Sequence, residues 1–185
     1  MIQANPHPAE ATPVPRHILD WVALIERLIV ADRPALRAHF LALGTEDRRL
    51  RFGLALADQQ VLGYVDGIDF DRTPVYGVGD GQGGWIGIGH LAPLGEDAEL
   101  GLSVLPDARG KGLGSAIFRF AVAQASRDGA RRLYMHFLTR NASVLSLARA
   151  AGMSIGSSGG ESDAWLNVPA HADLVRQLIG EAAPV

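Results

Sequence analysis

The sequence predicts an α/β protein with a mixed sheet, antiparallel hairpins first and a parallel strand–helix–strand unit later. Three observations predict it. Asp80-Gly81-Gln82-Gly83 is a strong hairpin signal between two apolar stretches. The segment Glu99–Gly114, ELGLSVLPDARGKGLG, reads as a buried strand, a short turn and a glycine-rich loop. After Gly114, the apolar residues Ile117, Phe118, Ala121, Val122 and Ala125 recur at helical spacing. Hairpins followed by strand–helix–strand require a sheet that changes from antiparallel to parallel pairing.

Taken in order, residues 1–16 hold prolines at 6, 8, 13 and 15 and read as a flexible N-terminal tail. Residues 17–185 read as a single domain, a length that supports a full core. A first strand is expected near Ala23–Val30, although Ile18–Leu28 fits a helix equally well. Asp32 is an N-cap candidate, with Pro34 tolerated in the first turn of a helix that runs to about Leu43 and stops at Gly44. Thr45 is placed to cap a helix through Phe52, and Asp58 another through Asp66. Strands are expected at Thr73–Val78, Trp85–Leu94 and Ala98–Leu105. Pro106 and Asp107 end the last of these, since proline donates no ladder hydrogen bond. The following helix stops near Asp128-Gly129. A strand at Leu133–Leu138 leads to a helix over Asn141–Ala151. Gly156–Gly160 reads as a turn before a strand at Ala164–Val168, and Pro169 starts a final helix to Ile179.

Composition narrows the function. The 48% hydrophobic and 20% charged content is that of an ordinary globular protein. A net charge of −3 argues against a nucleic-acid-binding surface, which needs a basic excess. There is no cysteine, so disulfides, zinc–thiolate sites and a cysteine nucleophile are excluded. That fits a cytoplasmic protein. The N-terminus has neither a basic n-region nor an apolar h-region, so no signal peptide is evident. The apolar run Ile18–Val30 is interrupted by Asp20, Glu26 and Arg27 and is too short to span a membrane, so no membrane partner is expected.

The loop Arg109-Gly110-Lys111-Gly112-Leu113-Gly114 has the makings of an anion site. A helix N-terminus offers unpaired N–H groups and partial positive charge. Glycines let a phosphate approach the backbone, and Arg109 and Lys111 add formal charge. The bland alternative is a tight turn with solvated basic residues. A P-loop is excluded because Ser115 follows glycine where lysine is required, and the spacing fails the dinucleotide fingerprint. Gly87-Ile88-Gly89-His90-Leu91-Ala92 fits that fingerprint formally, but Pro93 follows at once and no helical pattern begins there.

The Arg-x-x-Gly-x-Gly pattern at 109–114, preceded by Ala-Glu-Leu-Gly-Leu-Ser-Val-Leu-Pro, strongly resembles the central motif of the GNAT superfamily of acyl-CoA N-acyltransferases. Asn141–Met153 resembles the family's next motif, an Asn opening a helix that ends at Gly plus an apolar residue. The clear resemblance covers roughly 84–155, and a weaker one covers 30–56. It implies two central parallel strands that splay apart around the pantetheine arm of acetyl-CoA, which serves as co-substrate. No metal is expected. It implies direct acetyl transfer to an amine of a small molecule or a protein, by a monomer or homodimer. The alternative is an acyl-CoA-binding regulatory module with little turnover.

By the same resemblance, the N–H groups of Arg109, Gly110, Lys111, Gly112, Leu113, Gly114 and Ser115 would hold the pyrophosphate. The backbone of Ser103, Val104 and Leu105 would pair with pantetheine like an added strand, and Asn141 would anchor the arm. Asn141 is also an ordinary N-cap candidate. Glu99, at the start of the central strand, is the candidate general base. His90 is the reserve and His136 a further titratable candidate, with a core or sheet-face histidine the favoured reading of both. Many members carry a tyrosine acid where this chain has Ala148; the tyrosines here are Tyr64, Tyr76 and Tyr134. The acceptor is expected near His39, Phe40, Arg48, Arg49, Arg51 and the Phe70–Tyr76 loop.

Overall fold

The computed structural model describes residues 17–171. The proline-rich segment 1–16 and most of the helix expected after Pro169 lie outside those residues. The chain runs α1 (Ile18–Val22), β1 (Ile25–Arg27), α2 (Arg33–Leu41), α3 (Thr45–Phe52), α4 (Asp58–Asp66), β2 (Val75–Gly79) and β3 (Trp85–Leu94). It continues with β4 (Asp97–Val104), α5 (Leu113–Arg127), β5 (Arg132–Leu138), α6 (Ala142–Ala150), β6 (Ser154–Ser158) and β7 (Glu161–Asn167). The described strands form one sheet in the order β1-β2-β3-β4-β5-β7-β6. Pairing is antiparallel from β1 to β4, parallel between β4 and β5, and antiparallel again beyond. The mixed sheet read from the sequence is the sheet observed.

Local chemistry moves several boundaries. The ambiguous stretch 18–28 is both helix and strand: α1 carries the buried Trp21, and β1 is three residues long. Asp32 stands at the N-cap position of α2, as expected, but its side chain makes no cap hydrogen bond there. It closes a 3-10 turn at Val30–Asp32 and accepts the Ile29 N–H at 2.8 Å. Gly44 and Ala57, not Thr45 and Asp58, occupy the N-cap positions of α3 and α4. The Gly-Ser stretch read as a turn is mostly strand β6, because pairing with β7 supplies what composition withholds. The β2–β3 hairpin forms as expected. The Asp80 carboxylate accepts the N–H groups of Gln82 and Gly84 at 2.7 and 2.9 Å, and these bonds hold it below the usual carboxylate range.

Two apolar layers cover the sheet. On one face, Leu36 and Phe40 of α2 and Val61 and Val65 of α4 bury against Val75 and Ile88. On the other, α5 and α6 pack on Leu100, Leu133, Met135 and Phe137. Gly87 and Gly89 set how closely α5 lies. A Cβ at Gly87 would come within 2.8 Å of Leu113, and one at Gly89 within 2.6 Å of Ile117. The formal dinucleotide pattern at 87–92 is thus a packing device that seats the start of α5 on the sheet.

Candidate active site

The site begins where the sheet opens. Parallel pairing of β4 with β5 is limited to Ala98 with Leu133 and Glu99 with Tyr134. Beyond Glu99 the strands part, and a cleft of about 700 Å³ opens, lined by β4, β5, α3, α6 and the loop before α5. Which backbone groups face it follows from strand alternation. Leu105 N–H donates to Ile86 O at 2.9 Å, across the antiparallel ladder with β3. Ser103, two residues earlier, therefore also turns its N–H and C=O toward β3. Leu102 and Val104 turn theirs into the gap. Of the three residues whose backbone is expected to pair with pantetheine, Val104 turns its N–H into the gap while its C=O accepts from Arg109 Nε; Ser103 and the Leu105 N–H face β3, and Leu102 also faces the gap.

The glycine loop lines the far end of the same cleft. Gly110 and Gly112 have φ of 73° and 84°, the left-handed region that glycine enters without strain. An added Cβ at Gly110 would meet no atom within 4 Å, so the loop needs glycine there for backbone shape. No side chain caps α5, leaving its first N–H groups directed at the cleft end. Trp21 fixes the loop in a way the sequence did not signal. Its indole Nε1–H donates to Lys111 O at 2.8 Å. The trans peptide then points the Gly112 N–H the opposite way. Arg109 donates from Nε to Val104 O at 2.9 Å and pairs with Asp47 at 3.0 Å. Lys111 Nζ donates to Asp107 O at 2.8 Å. Leu113 is buried, whereas Gly114 and Ser115 line the cleft from the first turn of α5.

Asn141 is an N-cap: its Oδ1 accepts the Val144 N–H at 3.2 Å. Its Nδ2 reaches Leu50 O at 3.5 Å, tying α6 to α3, and one Nδ2–H is left for the cleft. Ala148 is fully buried in the core and does not line the cleft. Its identity therefore reports packing. The cleft-facing residues of α6 are Ser143, Val144, Ser146, Leu147 and Ala150. None of the three tyrosines lines the cleft. Tyr64 bonds His90, Tyr76 is buried, and Tyr134 stacks on Trp165.

At the point of divergence stands Glu99, on the same β4 face as Gly101 and Ser103. That face looks toward α2 and α3. His136 also lines this end; its Nδ1 meets Asp163 at 2.8 Å, and this bond holds its pKa above the ordinary value. His90 sits beside Gly101 in register but away from the cleft. Burial, aided by the Arg51 charge, pushes it down to about 4, against an opposing pull from the Thr73 carbonyl outside hydrogen-bonding geometry.

The expected acceptor residues divide sharply. His39 is buried and pushed down to about 4, chiefly by burial. Its Nδ1–H donates to Trp85 O at 2.8 Å, so Nε2 accepts from the Ser103 hydroxyl at 2.8 Å. It is a structural bridge. Phe40 is core. Arg48 donates to the carbonyls of Leu41, Leu43 and Leu56 and to Asp58. Arg49 is a surface partner of Glu46. The 70–76 loop lies elsewhere, with Asp71, Arg72 and Pro74 on a separate groove. Arg51 alone of this set points into the cleft.

A parallel strand pair that parts over a cleft, with a glycine loop and helix start at its end, defines a ligand-binding α/β fold. The sequence profile of the acetyltransferase (GNAT) family matches residues 17–153. The chain belongs to that family. Its fold is similar to the GNAT domain of S. lividans PAT, with 19% identity, TM-score 0.67, and 77% of this chain and 89% of that one covered. A ribosomal-protein-alanine N-acetyltransferase from Brucella melitensis is 19% identical, with TM-score 0.60 and coverages of 78% and 99%. A phosphinothricin acetyltransferase from Sinorhizobium meliloti, in complex with acetyl-CoA, is 17% identical, with TM-score 0.60 and coverages of 78% and 87%. Comparison with curated proteins finds no matching sequence. Among the described residues, no helix is long and apolar enough to cross a membrane.

Proposed function

We propose that this protein transfers the acetyl group of acetyl-CoA directly to an amine in the cleft between β4 and β5. The observation that carries this reading is the parting of the two strands at Glu99, with the backbone of Leu102 and the Val104 N–H facing the gap beyond it. The acetyltransferase family match and a similar fold in complex with acetyl-CoA support it. The pantetheine arm would run along β4, roughly 17 Å from residue 99 to 104. Its pyrophosphate would meet the N–H groups from Gly110 to Ser115. Acetyl-CoA supplies an activated acyl carbon on a thiolate leaving group. Glu99 accepts the amine proton, directly or through one water, as the nitrogen–carbon bond forms and the carbon–sulfur bond breaks. The thiolate takes its proton from solvent, since no phenol lines the cleft. The acceptor is an amine of a small molecule or a protein; the protein acts in the cytoplasm as a monomer or homodimer.

A regulatory acyl-CoA-binding module is the second reading, favoured by the lack of a tyrosine along the cleft. Glu99→Gln separates the two. The variant should bind acetyl-CoA as the parent does, yet release thiol about 10²–10⁴-fold more slowly with a true acceptor. The deficit should shrink at high pH, where the amine loses its proton unaided. Full turnover in Glu99→Gln near neutral pH would remove Glu99 from the chemistry. Acetyl-CoA binding without thiol release to any amine in the parent protein would favour the module.

A further inference from the structure

The cleft holds a cation with no ion-pair partner among the described residues. Arg51 leaves the last turn of α3, crosses the rings of Phe40, Phe52 and Tyr64 at 5.0–5.8 Å, and ends over Gly101 of β4. A Cβ at Gly101 would fall inside its guanidinium, so the missing side chain makes the place Arg51 occupies. Among the described residues no Asp or Glu forms an ion pair with it. Asp47, one turn earlier on the cleft side, is taken by Arg109. A guanidinium has five N–H donors. One Nη2–H goes to Tyr64 Oη at 3.1 Å; among the described residues the buried Nε–H has no partner and Nη1 has no acceptor. Aromatic faces hold such a cation but do not neutralise it. The neighbouring Arg48, by contrast, spends its donors on three carbonyls and a carboxylate.

We propose that Arg51 binds a carboxylate on the acceptor, so that the preferred substrate is a small amine with a carboxylate close by, the pattern of a free amino acid. The inference rests on the transfer reading above. Glu99 and Gly101 lie on one face of β4, two residues and roughly 7 Å apart. An amine at Glu99 and a carboxylate at the guanidinium over Gly101 are therefore within the span of one small molecule. A paired Arg–carboxylate contact is bidentate and directional, which suits orientation of the amine. His90 and His39 stay neutral beside Arg51, so neither competes for the anion.

The test needs no turnover. Protein loaded with coenzyme A is titrated by calorimetry with N-acetylalanine, N-acetylmethionine and N-acetylphenylalanine, each beside its primary amide. The expected result is that at least one acid binds about tenfold or more tightly than its amide, the size of a charge-assisted hydrogen bond. Arg51→Gln should erase that preference. Gly101→Ala, which keeps the charge but displaces the guanidinium, should weaken it. Equal binding of acid and amide in every pair overturns the inference, as does failure of all three acids to bind at about ten millimolar, a concentration at which one charge-assisted contact already gives measurable occupancy. Thiol release to amines alongside equal binding refutes the carboxylate while leaving transfer standing. Acid-selective binding without thiol release supports the Arg51 site and refutes transfer.

Discussion

His39 and Ser103 show how a cleft residue can be held from behind. The neutral imidazole accepts a hydrogen bond from the Ser103 hydroxyl and donates its own N–H to Trp85 O, linking α2, β3 and β4. This arrangement has a pH signature. Burial keeps the folded ring at about 4 against an ordinary value of 6.5, so the unfolded chain takes up the proton first as pH falls. Stability is therefore full above about 6.5 and is lost as pH falls toward 4, by about 3 kcal/mol for this one group. His39→Asn, which retains a donor for Trp85 O, should flatten the acid side of a melting-temperature profile between those values. His90 contributes a loss of the same sign, so the flattening is partial. An unchanged acid limb would mean that His39 is already solvated. A core or sheet-face place for His90 was read from the sequence, whereas the burial of His39 was not legible. A histidine at position 39 of an amphipathic helix fits core and site equally, and the choice depends on Trp85 and Ser103, 46 and 64 residues away.

The loop and first turn of α5 behave as one unit, and here the sequence was most informative. Glycine spacing, flanking basic residues and the apolar period of α5 are local signals, and the structure puts them together as read. The different jobs of the glycines were not legible. Gly112 needs its left-handed φ of 84°, whereas Gly114 lies within α5 and has ordinary helical freedom for a side chain. Gly112→Ala should lower unfolding free energy by roughly 1–2 kcal/mol, the cost of a Cβ in that region. Gly114→Ala should leave stability unchanged or raise it by roughly 0.5–1 kcal/mol, as in a helix interior. Its Cβ would lie 3.8 Å from Leu102, on the cleft wall, so Gly114→Val should impair acetyl-CoA binding in a folded protein. Urea melts beside calorimetry separate the effects. Equal destabilisation by both alanines would contradict the assigned backbone roles. Elements that depended on tertiary context were harder to read: β6 is serine-rich, and β1 is three residues long, so each owes its existence to a neighbouring strand.

Across the whole molecule, the proposed function rests on an interruption. Antiparallel pairing holds β1 through β4 and β5 through β7, and the one parallel seam between them stays closed for two residue pairs. The order of elements that produces this seam is legible in the sequence, and the resemblance of the glycine loop pointed to the opening. Glu99 and Arg51 were named from the sequence, but that Arg51 lies over Gly101 was not legible, because it depends on α3 lying over β4. The seam carries the central claim, that acetyl-CoA occupies the gap. Its most direct test is calorimetric titration of the full chain with acetyl-CoA, followed by a melt at about a hundred times the measured dissociation constant. The account predicts saturable binding and a stabilisation of about 2.7 kcal/mol, together with loss of binding in Gly114→Val. Absence of binding to the parent protein at millimolar acetyl-CoA, or unchanged affinity in Gly114→Val, would contradict it.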